Sequence, residues 1–154
     1  MMKLSKLMFC AFSAVAIASS AFAEVKVSDV TAKGKEATLD AGVTRSGVFT
    51  VKDFPEELKG LKCISVPRGS HSKAGGTFSF KISAPATVYL FVDVRGEKKT
   101  KLEGWEKTTL KAIWVANKRD YPDAIYKKDF EAGTVEIPAN TAAMIPCLAV
   151  IKSK

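Results

Sequence analysis

The chain has 154 residues, of which 24 are lysine or arginine and 16 are aspartate or glutamate, and its formal net charge is +8. Hydrophobic residues make up 47% and charged residues 26%, a composition that is typical of a globular domain and excludes an intrinsically disordered chain. Six prolines and ten glycines exclude a long helical rod, and one histidine with three cysteines leaves few ligands for a zinc site.

The first 23 residues are predicted to be a secretory signal peptide. Lys3 and Lys6 give the start a positive charge, an apolar run follows over 7–18, and small residues in an A-x-A pattern end at Ala23. We therefore expect cleavage after Ala23 and a protein that is secreted or periplasmic. The mature chain, 24–154, is expected to form one domain, and it contains no later apolar run long enough for a membrane-spanning helix.

Apolar and polar residues alternate with a period of two through most of the mature chain, which predicts strands. In chain order, the predicted strands lie at 25–27, 48–51, 62–66, 77–82, 86–94, 110–115, 135–137 and 143–151. A single helical turn is predicted at 55–59, where Pro55 stands at a helix-start position. Eight or nine short strands separated by glycine and proline turns predict an all-β, two-sheet antiparallel sandwich that is jelly-roll-like and has almost no helix.

The segment 86–94 is predicted to be the central strand of this sandwich. Its two faces are both largely apolar, with Val88, Leu90 and Val92 on one face and Phe91 on the other. A strand with two apolar faces is typical of a position between two packed layers. We therefore predict that Val88, Leu90 and Val92 are buried.

Two cysteines, Cys63 and Cys147, are left after removal of the signal peptide, which carries Cys10. An even number of cysteines in an exported chain favours a disulfide, so we predict that Cys63 and Cys147 are bonded. The alternative is a pair of buried free thiols, because unpaired cysteine is often buried.

Several segments occur together in a recognisable order. They are GVFTVKDFPEEL at 47–58, TFSFKISAPATVYLFVDVR at 77–95, Trp105, and FEAGTVEIP at 130–138. These segments resemble a β-sandwich module of secreted bacterial proteins that is often found beside polysaccharide lyases and glycoside hydrolases. The resemblance covers nearly all of the mature chain, and it implies a jelly-roll topology and a non-catalytic, carbohydrate-binding role.

The sequence gives little support to a catalytic site, and we predict that the protein is not an enzyme. His71 is the only histidine and lies in a polar loop without a G-x-S-x-G nucleophile motif, so an exposed loop histidine is the simpler interpretation. The acids Asp93, Glu103 and Glu106 could supply a glycosidase pair, but their spacing does not single out two of them. No phosphate-binding loop or EF-hand pattern is present, so no cofactor is predicted, although a structural calcium ion stays compatible with the sequence.

One charged segment after the central strand contains the residues that we predict to bind a ligand. Trp105 offers an apolar plane for a sugar ring, and Arg95 and Asp93 offer a donor fork and an acceptor for sugar hydroxyls or carboxylates. The alternatives are that the Asp93–Arg95 pair fixes the corner at the strand end and that Trp105 covers one end of the core. The complete predicted site is Asp93, Arg95, Lys98, Lys99, Lys101 and Trp105.

The basic residues of the middle of the chain, with the acids interspersed among them, form either a mixed solubilising surface or a positive face for an anionic partner. Because the chain is expected to be exported and contains no nucleic-acid-binding motif, nucleic acid is disfavoured and an acidic polysaccharide is the preferred partner. Three function classes stay open in this order: a carbohydrate-binding module, a structural or protein-interaction sandwich, and an enzyme with an unrecognised site.

Overall fold

The computed structural model describes residues 24–45, 48–67, 77–138 and 148–154. The predicted signal peptide, His71 and Cys147 lie outside these ranges. Eleven strands form within the described ranges, and all of their pairings are antiparallel. The strands are β1 (Val27–Ser28), β2 (Lys35–Thr38), β3 (Thr44–Arg45), β4 (Phe49–Asp53), β5 (Lys62–Ser65), β6 (Phe78–Ile82), β7 (Ala86–Asp93), β8 (Glu106–Ala116), β9 (Arg119–Phe130), β10 (Gly133–Ile137) and β11 (Leu148–Ser153).

The strands form two sheets, which confirms the predicted all-β sandwich, with more strands than the eight or nine expected. The small sheet has the order β1-β6-β10, and the large sheet has the order β2-β5-β11-β7-β9-β8-β4-β3. The described ranges contain only two short 3-10 turns, Glu56–Leu58 and Glu97–Lys99. The first of them lies within the predicted helical turn at 55–59. Among the described residues, no helix is long and apolar enough to cross a membrane.

The first hydrophobic core lies between the two sheets. The small sheet contributes Phe78, Phe80 and Ile82 from β6, and the large sheet contributes alternate residues of β5, β7, β9 and β11. Phe80 is fully buried, and its ring stacks against that of Phe78 with 6.4 Å between centroids.

The second hydrophobic core lies on the opposite face of the large sheet, which curls around it. Trp114 of β8 is fully buried there, together with Phe91 and residues from β4, β5, β9 and β11. The Ser65 hydroxyl of β5 donates a hydrogen bond of 3.1 Å to the carbonyl oxygen of Thr44 in β3. Because β3 and β5 lie near opposite ends of the strand order, this contact shows that the curl brings the two ends of the sheet together.

Strand β7 is the central strand, as the sequence predicts. It pairs with β11 on one side and β9 on the other, and every residue from Val88 to Asp93 is buried. Val88, Leu90 and Val92 face the first core, whereas Tyr89 and Phe91 face the second core. The two apolar faces of this strand therefore correspond to two separate cores.

The described residues contain no disulfide. Cys63 of β5 is a buried free thiol in the second core, paired in register with Val150 of β11, and Cys147 lies outside the described residues. Burial raises the pKa of the Cys63 thiol to about 12, with a smaller contribution from Glu36. Cys63 therefore packs as a small apolar residue, and its predicted bond to Cys147 is not shown.

Candidate functional site

The charged segment 94–105 connects β7 to β8 and is fastened to the large sheet by one acidic side chain. The Glu97 carboxylate accepts hydrogen bonds from the Lys107 ammonium group and the Tyr126 hydroxyl. The pKa of Glu97 is lowered chiefly by the hydrogen bond from Lys107 and, to a smaller extent, by the hydrogen bond from Tyr126. The pKa of Tyr126 is raised to about 12, chiefly by burial and, to a smaller extent, by the hydrogen bond to Glu97. These contacts fix the segment that carries most of the predicted site.

Asp93 and Arg95 form a corner at the end of β7. Asp93 is fully buried, and one of its oxygens accepts 2.9 Å hydrogen bonds from the backbone N–H and the Nε of Arg95, while the other accepts a 2.5 Å bond from Arg95 Nη2. The Arg95 guanidinium also lies 4.8 Å from the centre of the Tyr121 ring. This geometry matches the structural alternative, in which the pair holds the strand end.

A second buried acid, which the sequence reasoning missed, lies beside this corner. Asp123 of β9 is directly opposite Asp93 in register, and its Oδ2 accepts a 2.6 Å hydrogen bond from Trp114 Nε1. Asp123 follows Pro122 in a charged stretch that the sequence reasoning did not assign to a strand, so no signal placed it in the core. The indole N–H of Trp114 explains how a buried tryptophan satisfies its donor.

Trp105 lies at the other end of the sandwich, just before β8. It is half-buried, packs against the first core, and its ring centroid is 5.8 Å from that of Phe130 at the end of β9. The Lys128 ammonium lies 5.6 Å from the centre of the Phe130 ring. Trp105 therefore contacts the core and still has exposed surface, which combines the two interpretations drawn from the sequence.

The exposed surface of Trp105 opens into a groove of about 440 Å³, the Trp105 groove. One wall is the edge strand β10, and the other is formed by the segment before β8 and the end of β9. The residues that line the groove are Thr77, Lys101, Glu103, Trp105, Lys128, Phe130, Thr134, Glu136, Ile137 and Pro138. Two aromatic rings and four charged side chains are thus gathered around one depression.

The structure brings only part of the predicted site together. Lys101 and Trp105 share the groove, whereas Asp93 and Arg95 lie near the opposite end of β7. Ala86 pairs with Phe130 and Asp93 pairs with Asp123, so seven residues of strand, or about 23 Å, separate the two ends. Lys98 and Lys99 are exposed on the 3-10 turn between them.

The groove also contains residues that the predicted site did not include. Phe130 lies in the segment FEAGTVEIP, which carried part of the family resemblance. Its contact with Trp105 depends on the antiparallel pairing of β9 with β8. Glu103 and Glu136 offset the positive charge of Lys101 and Lys128, so the groove is balanced in charge. Within the described ranges, no cluster of three or more histidine, cysteine or acidic side chains could hold a metal ion.

The chain matches no protein-family profile and no curated protein. Among solved structures, it is similar to a β-glucuronidase from glycoside hydrolase family 2, with a TM-score of 0.60 and 15% identity over 86% of this chain and 14% of that enzyme. It is also similar to a GH138 enzyme targeting pectin rhamnogalacturonan II, with a TM-score of 0.56 and 14% identity over 85% of this chain and 16% of that enzyme. At these identities the likeness shows the fold: this chain has a β-sandwich that resembles a small part of two much larger enzymes.

Proposed function

We propose that the protein is a non-catalytic module that binds polysaccharide in the Trp105 groove. The observation that carries the proposal is the pairing of Trp105 with Phe130 at the floor of an open groove whose walls are polar. An exposed aromatic surface beside convergent hydrogen-bonding groups is the arrangement that recognises a sugar ring, because the ring has an apolar C–H face and a polar edge.

The polar walls suit hydroxyl groups, each of which donates and accepts a hydrogen bond. Lys101 and Lys128 supply donors, and Glu103 and Glu136 supply acceptors. The fold supports the same class of ligand, since the two similar solved structures are a β-glucuronidase and an enzyme targeting pectin rhamnogalacturonan II. Each is an enzyme that acts on carbohydrate, and this chain spans only 14–16% of its length.

The preference for an acidic polysaccharide is the finer part of the proposal. It is supported by the positive net charge, which falls from +8 to +6 when Lys3 and Lys6 are removed with the predicted signal peptide, and by the exposed Lys98 and Lys99 on the segment that leads to the groove. The groove itself carries two lysines and two glutamates. Acid selectivity therefore comes from the surrounding positive field rather than from a direct ion pair, and binding of an acidic chain is expected to weaken as salt is raised.

Affinity gel electrophoresis tests the proposal with pectin and alginate as acidic polysaccharides and hydroxyethyl cellulose as a neutral one. The wild type is expected to be retarded on at least one of the gels, and Trp105→Ala is expected to lose most of that retardation. Lys35→Ala is the control that matches Lys101→Ala, because Lys35 is exposed on the edge strand β2 of the large sheet and does not line the groove. Melting curves of all variants separate a lost binding surface from a lost fold, and Lys101→Ala probes the groove without touching the core.

A wild type that runs freely on every gel would contradict carbohydrate binding. The protein-interaction alternative would then be favoured, and one observation gives it a defined surface. Strand β10 is an edge strand of the small sheet and forms one wall of the groove, so an extended peptide could add to it as a further strand.

A further inference from the structure

We infer that the polysaccharide site continues past Lys128 into a second subsite over Tyr89, so that the protein binds several consecutive sugars of a linear chain rather than one ring. This inference rests on the proposed function. It concerns a trough on the second-core side of the large sheet, opposite the side on which Trp105 packs. We call it the Tyr89 trough, and it consists of two adjoining depressions of about 500 Å³ and about 340 Å³. Both depressions are lined by Tyr89, Glu106 and Lys127.

The Tyr89 trough adjoins the Trp105 groove at a single tight turn. Lys128 lines both, while Gly104 faces the trough and its neighbours Glu103 and Trp105 face the groove. Gly104 has a φ of +74°, and a Cβ atom there would lie 3.0 Å from Lys128 Nζ. The turn is therefore thin at this point, and Lys128 lies across it as the connection between the two surfaces.

The backbones of the two aromatic residues lie close together, although Trp105 packs against the first core and Tyr89 packs in the second. Tyr89, Lys127 and Glu106 lie side by side in register on three neighbouring strands, so Tyr89 and Glu106 are about 10 Å apart. Trp105 directly precedes Glu106, which places its Cα within about 14 Å of that of Tyr89.

Tyr89 provides an available hydrogen-bonding group at the floor of the trough. Its ring is buried in the second core, with 8% of the residue exposed. Its hydroxyl makes no hydrogen bond to another described residue, and Tyr89 lines both depressions of the trough. A phenol placed in this way can donate to a sugar hydroxyl without giving up an existing contact.

The rest of the trough is already arranged as donor and acceptor pairs. The Asp129 carboxylate accepts from the Thr87 hydroxyl at 2.6 Å and from Lys154 at 2.7 Å, and Lys127 lies 3.3 Å from Glu106. Such pairs hold their side chains in place and leave further lone pairs and N–H groups for a ligand. The mixture of donors and acceptors suits the hydroxyl groups of a sugar chain.

The length dependence of binding tests the inference. Isothermal titration calorimetry would compare the disaccharide and the hexasaccharide of galacturonic acid, with the cello-oligosaccharides of the same lengths as a neutral series. The wild type is expected to bind a hexasaccharide at least about tenfold more tightly than the corresponding disaccharide. Tyr89→Phe is expected to weaken hexasaccharide binding by about two- to tenfold, the loss of one hydrogen bond, and to leave disaccharide binding unchanged.

Tyr121→Phe is the matched control, because Tyr121 is a half-buried tyrosine near Arg95 at the far end of the sandwich. Lys127→Gln provides a second variant that does not alter the core. Equal hexasaccharide affinity in wild type, Tyr89→Phe and Lys127→Gln would overturn the second subsite and leave the Trp105 groove standing. Absence of binding by the wild type to every oligosaccharide and polysaccharide would overturn both proposals.

Discussion

The Tyr126 hydroxyl donates a hydrogen bond to the Glu97 carboxylate, and this contact joins the segment 94–105 to the first-core face of β9. Lys107 donates to the same carboxylate from β8. One acid thus links two strands to the segment that carries Lys101 and Trp105. The contacts of Glu97 therefore lie outside the Trp105 groove but hold the segment that forms part of one wall of the groove.

Replacing Glu97 with Gln is expected to destabilise the protein in a pH-dependent way. The pKa of Glu97 is lowered in the folded state from the ordinary value of 4.5, chiefly by Lys107 and then by Tyr126. The stabilisation is therefore present above pH 4.5 and is lost as the pH falls through the lowered folded pKa. Thermal melts between pH 3 and 7 should show a smaller loss of stability on acidification in Glu97→Gln than in the wild type. Parallel curves for the two proteins would contradict this role.

Arg95→Ala is expected to lower stability without changing polysaccharide binding. The substitution leaves the buried Asp93 carboxylate without its guanidinium partner. Because the Arg95 side chain is 43% exposed, solvent screens the pair, and the cost is expected to be on the order of 1–2 kcal/mol, below that of a fully buried pair. Chemical denaturation measures the cost, and the same affinity gels measure binding. If Arg95→Ala had normal stability but no longer bound polysaccharide, Arg95 would be a ligand-binding residue, and the structural role would be contradicted.

Cys63 is expected to be unreactive in the folded protein. Its side chain is fully buried, and the pKa of its thiol is raised to about 12 from 9.0, mainly by burial. Ellman's reagent at pH 8 should therefore modify Cys63 only after a denaturant is added. Because the neutral thiol is favoured in the fold, its contribution to stability is complete below pH 9 and is lost as the pH rises towards 12. Rapid modification of Cys63 in the native protein would contradict its burial.

The strands with the clearest apolar faces were predicted most accurately from the sequence. Phe78–Ile82 and the central strand at Ala86–Asp93 agree closely with the predicted ranges, because both bury at least one apolar face. The sequence reasoning missed β9, although it is the longest strand among the described residues. Its charged residues and Pro122 argue against a central strand, since proline cannot donate to a sheet.

The hairpin that carries β9 depends on a turn that was not recognised. Asn117 and Lys118, between β8 and β9, have φ values of 49° and 60°, the left-handed conformation that two-residue hairpin turns require. Asparagine favours this conformation, whereas lysine gives no such signal. Without this hairpin, the approach of Phe130 to Trp105 could not be predicted, and so the groove could not be located. Most of the strands could be predicted from the sequence, but the site forms between segments that are distant in the sequence.

Quenching of tryptophan fluorescence by acrylamide tests the central claim most directly. The sequence contains two tryptophans, and Trp114 is fully buried, so the quencher reaches only Trp105 in the folded protein. A polysaccharide that retards the protein on gels is expected to lower the quenching constant in a saturable manner, and Trp105→Phe should abolish the quenchable signal. An unchanged quenching constant in the presence of a bound polysaccharide would contradict binding at the Trp105 groove.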